Sequence, residues 1–206
     1  SSVLTTNAAG TILICGLPIG EYELSETKES PGYKRLRNTI AFTVKDNSDA
    51  TSPVVIDLEN EMNEVTLEKT DLVTGNPVVG AVIQIFDEAG ELVREVTTDE
   101  NGQVLIKGLP AGTYTFREVL APEGYILNEK AFTFSIDPYG KVSGVTKFTN
   151  EPTQFLLYKR DADDDAVLLE GAVFELYRLR DGEEPELVRF RLADGLYIAS
   201  ADGEIT

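Results

Sequence analysis

The sequence predicts an all-β protein of tandem β-sandwich repeats, each about 90 residues long. Three observations lead there: the chain repeats itself, short segments rich in β-formers alternate with turn residues, and no segment reads as a helix. GLPIGEYELSETKESPGY (16–33) recurs as GLPAGTYTFREVLAPEGY (108–125), offset by 92 residues, and TTNAAG (5–10) recurs as TTDENG (97–102). AFTV (41–44) recurs as AFTF (131–134) and VTLEKTD (65–71) as FLLYKRD (155–161), both offset by 90, and GAVIQIF (80–86) as GAVFELY (171–177), offset by 91. The phase divides the chain into the back half of one repeat (1–62), a complete repeat (63–150) and the front half of another (151–206), the last with a longer insert around Arg178–Glu186. This is the pattern of a window from a longer array. Half a sandwich cannot close a core alone, so the half-repeats are expected to be disordered, swapped or completed by another chain.

Within the complete repeat seven strands are expected. Residues 64–69 alternate apolar and polar; TGNP (74–77) ends that run and 80–87 resumes it. DEAG (87–90) turns the chain into 91–98, and DENG (99–102) turns it into 103–107. Residues 112–120 and 131–136 flank a longer loop, and DPYG (137–140) leads into 141–149. Many short strands at regular spacing indicate a sandwich. The linkers at Asn60 and Asn150 are only a few residues long, so neighbouring repeats are expected to be closely coupled.

Composition closes most other classes. The 206 residues include 18 Lys+Arg and 36 Asp+Glu, a formal net charge of −18. Such a surface repels nucleic-acid phosphates and anionic membranes, so neither is an expected partner. No run approaches the roughly 20 apolar residues of a membrane span, and no signal peptide, lipidation motif or sorting signal is present. With no histidine, a Ser-His-Asp triad, a Cys-His pair and a histidine-ligated zinc are impossible. The one cysteine, Cys15 in TILICGLP, cannot pair internally and reads as a strand residue and small apolar filler. No cofactor or metal is expected.

Strand alternation exposes an anomaly. Val65, Leu67 and Lys69 share a face; so do Tyr114, Phe116 and Glu118, and Phe148 and Asn150. Each apolar line ends in one polar residue pointing the same way. The partial repeats carry the same lines: Tyr22, Leu24 and Glu26; Ile56, Leu58 and Asn60; Phe155, Leu157 and Lys159. Burying a lone ammonium or carboxylate costs several kcal/mol, so something must compensate. Three readings stand: strand ends at a solvated rim, a structural Lys–Glu ion pair capped by an Asn amide, or chemistry in which the lysine amine attacks the asparagine carboxamide and ammonia leaves. Apolar surroundings lower a lysine pKa and raise that of a carboxylic acid, which suits a neutral nucleophile and a proton-shuttling acid. The pattern does not choose between the last two.

YTFREVLAPEGY (114–125) and YELSETKESPGY (22–33) resemble the E-box of CnaB-type domains, SpaA-like modules with an Ig-like, prealbumin-like sandwich found in surface adhesins and pilins of Gram-positive bacteria. LEKTDLVTGNPVVGAVIQIFD (67–87) and FTNEP (148–152) resemble that module's opening and close. The resemblance implies an intramolecular isopeptide bond with Lys69 as nucleophile, Asn150 as electrophile and Glu118 as proton shuttle. Glu26 and Asn60 match the same roles in the first repeat, whose lysine falls upstream of the chain, and Lys159 matches in the third. The implied function is a stalk or spacer at the cell surface or in the cell wall, not an enzyme beyond a single self-cross-linking turnover. No LPxTG signal and no pilin YPK motif appears, and the E-box proline is shifted between Pro31 and Pro122, which favours an adhesin stalk over a pilus shaft. Other readings are an adhesive module for a host matrix protein or glycan, an accessory domain of a secreted enzyme, and head-to-tail self-association in which Lys159 of one chain meets Glu26 and Asn60 of the next. Asp161–Asp165 fails the EF-hand pattern at Ala166 and Ala172 and reads as a solvated acidic turn. Tyr33 and Tyr125 are expected to pack against the sandwich.

Overall fold

The computed structural model describes residues 3–193 and 195–199. The chain forms two compact units, Ser1–Thr153 and Gln154–Thr206. No helix occurs among the described residues.

The first unit opens with an antiparallel pair, β1 (Gly20–Leu24) and β2 (Ile40–Val44), in which Tyr22 stacks on Phe42 at 5.4 Å. The sandwich follows: β3 (Glu64–Asp71), β4 (Val82–Phe86), β5 (Leu92–Thr97), β6 (Gln103–Lys107), β7 (Gly112–Leu120), β8 (Phe132–Ile136), β9 (Val142–Gly144) and β10 (Lys147–Asn150). One sheet has the order β10-β3-β6 and the other β5-β4-β7-β8-β9. β10 lies parallel to β3, whereas the other pairings within the two sheets are antiparallel.

The core is what the period-two pattern buries. Val65, Leu67, Val104, Ile106 and Phe148 face Ile83, Ile85, Tyr114, Phe116, Phe134 and Ile136 across the sandwich. Phe116 meets Phe148 edge-on with centroids 5.2 Å apart, joining the sheets at the sequence centre of β7. The Asp-x-x-Gly turns are stapled by their own aspartates: Asp87, Asp99 and Asp137 each accept two backbone N–H groups through Oδ1.

The last expected strand, 141–149, is two strands. The break lies at Gly144, whose φ of +100° and close fit against Thr133 admit no side chain. Val145 N–H donates to Thr133 O in one sheet and Glu68 N–H to Thr146 O in the other, so the chain crosses between sheets there. β9 completes the five-stranded sheet, and β10 brings Asn150 beside the first strand.

The segment holding Cys15 forms no strand, and Cys15 is exposed, so the filler reading is wrong. Its counterpart in the complete repeat, β6, pairs with β3; this unit offers no such partner to TILICGLP. Ile56, Leu58 and Asn60 likewise lie outside any strand.

The second unit holds two hairpins, β11 (Tyr177–Arg178) with β12 (Glu186–Leu187), which flanks the insert, and β13 (Phe190–Ala193) with β14 (Leu196–Ala199). Residues 154–176 carry a single isolated bridge, Arg160 to Leu168. Phe155 is 77% exposed and Val173 91% exposed, so this half-repeat closes no core around them. Asp161 Oδ1 accepts the N–H groups of Asp163 and Asp164, making an ordinary acidic turn.

Candidate functional site

Alternation along β3 turns Val65, Leu67, Lys69 and Asp71 inward, and all four are buried. The Lys69 backbone is held from the side: its N–H donates to Gly102 O at 2.8 Å and its carbonyl accepts from Val78 at 3.0 Å. Gly102 has φ +67°, and a Cβ there would run into the Lys69 carbonyl oxygen. On β7 the line Tyr114, Phe116, Glu118 is buried, and on β10 Phe148 and Asn150 are. The parallel register sets Phe148 opposite Lys69.

Three polar side chains therefore meet inside the core. The side chains of Lys69 and Glu118 are 0% exposed, as is Asn150. The solvated-rim reading is excluded. Lys69 Nζ lies 3.3 Å from Glu118 Oε1, without hydrogen-bond alignment, and 3.9 Å from the centroid of the Phe148 ring. Asn150 Nδ2 donates to Glu118 Oε1 at 2.9 Å and Oε2 at 3.0 Å, and to Ile126 O at 3.2 Å. Glu118 Oε2 also accepts the N–H of Asn128 at 2.7 Å, and Asn128 Nδ2 reaches back to Thr149 O.

Two atoms at this site have no hydrogen-bond partner: Lys69 Nζ and Asn150 Oδ1. An unsatisfied buried polar atom costs about 1–3 kcal/mol. Burial lowers the Lys69 pKa from its ordinary value of 10.5, against the opposing pull of Glu118, and so favours the neutral amine. One carboxylate touches both nitrogens, which places it to take a proton from one and deliver it to the other.

The first repeat holds a second copy of the acidic half of this site. Asn60 Nδ2 donates to both Glu26 oxygens at 2.9 Å and to Lys34 O at 2.9 Å, and Leu36 N–H donates to Glu26 Oε2 at 2.7 Å. These contacts match those of Asn150, Glu118, Ile126 and Asn128 one by one. Glu26 and Asn60 are half-buried; Lys159, in the second unit, is exposed.

The sequence reading left two polar groups unnamed, Asp71 and Asn63, and expected of Tyr125 only packing against the sandwich. Tyr125 Oη donates to Asp71 Oδ2 at 3.0 Å, tying the E-box loop to the end of β3. Burial and that bond push the tyrosine pKa up to about 12. Burial alone would raise Asp71, but the N–H groups of Thr74 and Val73 and the Tyr125 hydroxyl hold it below its ordinary value. Asn63 is buried at the repeat boundary and donates through Nδ2 to Leu109 O. The Asp71 position was legible as the next inward residue after Lys69; the tyrosine that meets it 54 residues later was not.

The family described as "SpaA: Prealbumin-like fold domain" matches residues 1–59 and again 63–151. The trypsin-resistant surface T6 protein of Streptococcus pyogenes serotype M6 is 26% identical over 103 residues, covering 50% of this chain and 19% of that protein. Among solved structures, the Bacillus anthracis TIE protein is 32% identical, covering 71% of this chain and 28% of that one with a TM-score of 0.45. BcpA, the major pilin subunit of Bacillus cereus, is 29% identical over 43% of this chain and 28% of that one, with a TM-score of 0.38. The chain thus spans less than a third of each of these relatives.

Proposed function

Because the chain belongs to the SpaA prealbumin-like fold family, and its relatives include pilin subunits, we propose that it is a load-bearing stalk segment of an extracellular surface adhesin or pilus-like fibre, stiffened by a self-made Lys69–Asn150 amide. The observation that carries this reading is Glu118 in contact with both the Lys69 and the Asn150 nitrogen inside the buried core.

The chemistry follows from those contacts. Glu118 takes a proton from Lys69 Nζ, and the freed lone pair attacks Asn150 Cγ. The new N–C bond forms, Nζ gives up a second proton as the Cγ–Nδ2 bond breaks, the departing nitrogen takes one proton by way of Glu118 and leaves as ammonia, and Glu118 keeps the other. The product amide removes the unpaired buried amine and keeps Asn150 Oδ1 as its carbonyl oxygen. Each site turns over once, so this is not an enzyme in the ordinary sense.

Lys69 lies near the end of β3 and Asn150 at the end of β10, on strands that run parallel and adjacent. Tension arriving at one passes to the other through the bond, and the 80 residues between them stay unloaded. Glu26, Asn60 and Lys159 carry the same roles for neighbouring repeats. The preformed Glu26–Asn60 pair and the exposed Lys159 also support head-to-tail joining of two copies of this chain.

Single-molecule stretching tests the reading. The wild-type chain should give no extension step for residues 70–149, whereas Lys69→Ala should release that length. A full-length step in the wild type would overturn it.

A further inference from the structure

Residues 32–37 of the first repeat work on two sides at once. On one side they frame the Glu26–Asn60 pair, through Leu36 N–H to Glu26 Oε2 at 2.7 Å and Asn60 Nδ2 to Lys34 O at 2.9 Å. On the other they rest on the turn between β8 and β9 of the second repeat. Arg35 N–H donates to Pro138 O at 2.8 Å. The Arg37 guanidinium lies 4.3 Å from the Tyr139 ring centroid and that of Arg35 lies 5.5 Å away. The Lys34 stem covers Gly140 so closely that a Cβ there would sit 2.6 Å from Lys34 Cγ. Successive N–H groups thus point opposite ways, Arg35 toward the second repeat and Leu36 toward Glu26.

The turn itself is stiff, because Asp137 Oδ1 accepts the N–H groups of Tyr139 and Lys141. Two more bonds fix the same segment to the linker: Asn63 N–H to Gly32 O and Lys34 N–H to Glu61 O, both 2.8 Å. A cleft of 250 Å³ has Arg37, Asn60 and Tyr139 among its walls, so the aromatic ring and the reactive carboxamide border the same space.

We propose that the Pro138–Gly140 turn of the second repeat is a positioning element for the Glu26–Asn60 pair of the first, with Tyr139 its principal side chain. This repeat boundary then does more than join: the second repeat holds the cross-link site of the first in its reactive geometry. The inference deepens the proposed function and rests on it for what Glu26 and Asn60 do, but not for how they are held. The second repeat supplies an internal control. Its segment makes the same inward contacts through Ile126 O and Asn128 N–H, but carries Ile126, Leu127 and Glu129 where the first has Lys34, Arg35 and Arg37.

Amide hydrogen exchange by NMR on the 206-residue chain tests this. In Tyr139→Ala, Leu36 N–H should exchange about tenfold faster, while Asn128 N–H, bonded to Glu118, stays within about twofold. Equal Leu36 rates in wild type and variant would overturn the proposal. Should Tyr139→Ala loosen the whole second repeat and accelerate both amides, Arg37→Ala decides: Leu36 faster with Asn128 unchanged supports the proposal, and Leu36 unchanged overturns it. Exchange reads positioning without any covalent bond. A chain with the exchange effect and no loss of ammonia would therefore sink the cross-link and leave the positioning role standing.

Discussion

Asn150→Ala isolates what the bond contributes to stability. The substitution removes the electrophile but leaves the Lys69–Glu118 pair at 3.3 Å in place, so no charge is stranded. Losing a covalent closure of the 80 intervening residues costs about 4–5 kcal/mol on the chain-entropy model. That alone approaches the lower end of the whole stability of a small domain, about 5–15 kcal/mol. At roughly 4–8 °C per kcal/mol for a domain this size, the sandwich should melt at least about 15 °C below wild type. Thermal unfolding followed by circular dichroism measures it. A midpoint within about 5 °C of wild type would refute the reasoning, because no covalent closure would then have been lost. Glu118→Ala is the less clean probe: it strands the buried Lys69 ammonium at a further cost of about 3–5 kcal/mol, so a failed bond and a failed fold would look alike.

Three further outcomes are expected. Tyr125→Phe should cost about 1 kcal/mol in denaturant unfolding and raise the Asp71 pKa, since it deletes the 3.0 Å bond between them; an unchanged Asp71 titration by NMR would contradict this. Gly102→Ala should cost about 2 kcal/mol or more and slow the cross-link, because its φ of +67° and the adjacent Lys69 carbonyl leave no room for a Cβ; wild-type stability would show that the Lys69 backbone is not held this way. In Asn150→Ala, where Lys69 stays a free amine, the folded state binds fewer protons at Lys69 than the unfolded chain does between its lowered pKa and 10.5. Unfolding free energy should therefore climb as pH rises toward 10.5 and fall as pH drops through the lowered value, a slope missing from the cross-linked wild type; equal slopes in urea titrations would contradict it.

Lys69, Glu118 and Asn150 were legible as a group because a strand has period two, and three separate strands each ran an apolar line into one polar residue. That pattern gives a face, not a distance: the 3.3 Å and 2.9 Å contacts come from packing β7 of one sheet against β3 and β10 of the other, with β10 parallel to β3, long-range arrangements that no local signal encodes. The same limit explains the missed break at Gly144. In residues 141–149 Val142 and Phe148 share one parity and only Val145 departs from it, so the point where the chain leaves one sheet for the other is not marked. Cys15 was misplaced for a related reason, since a β-rich segment makes a strand only when a partner edge is present. The clamp at Tyr139 was invisible because DPYG announces a turn and says nothing about what the turn touches.

The intact mass of the denatured chain tests the central claim most directly. The account predicts a wild-type chain one ammonia lighter than its sequence, with the loss mapping to a peptide joining Lys69 to Asn150, and a Glu118→Gln variant of full mass. A wild-type chain at the full sequence mass would contradict it and leave the three buried side chains as an ion pair capped by an amide.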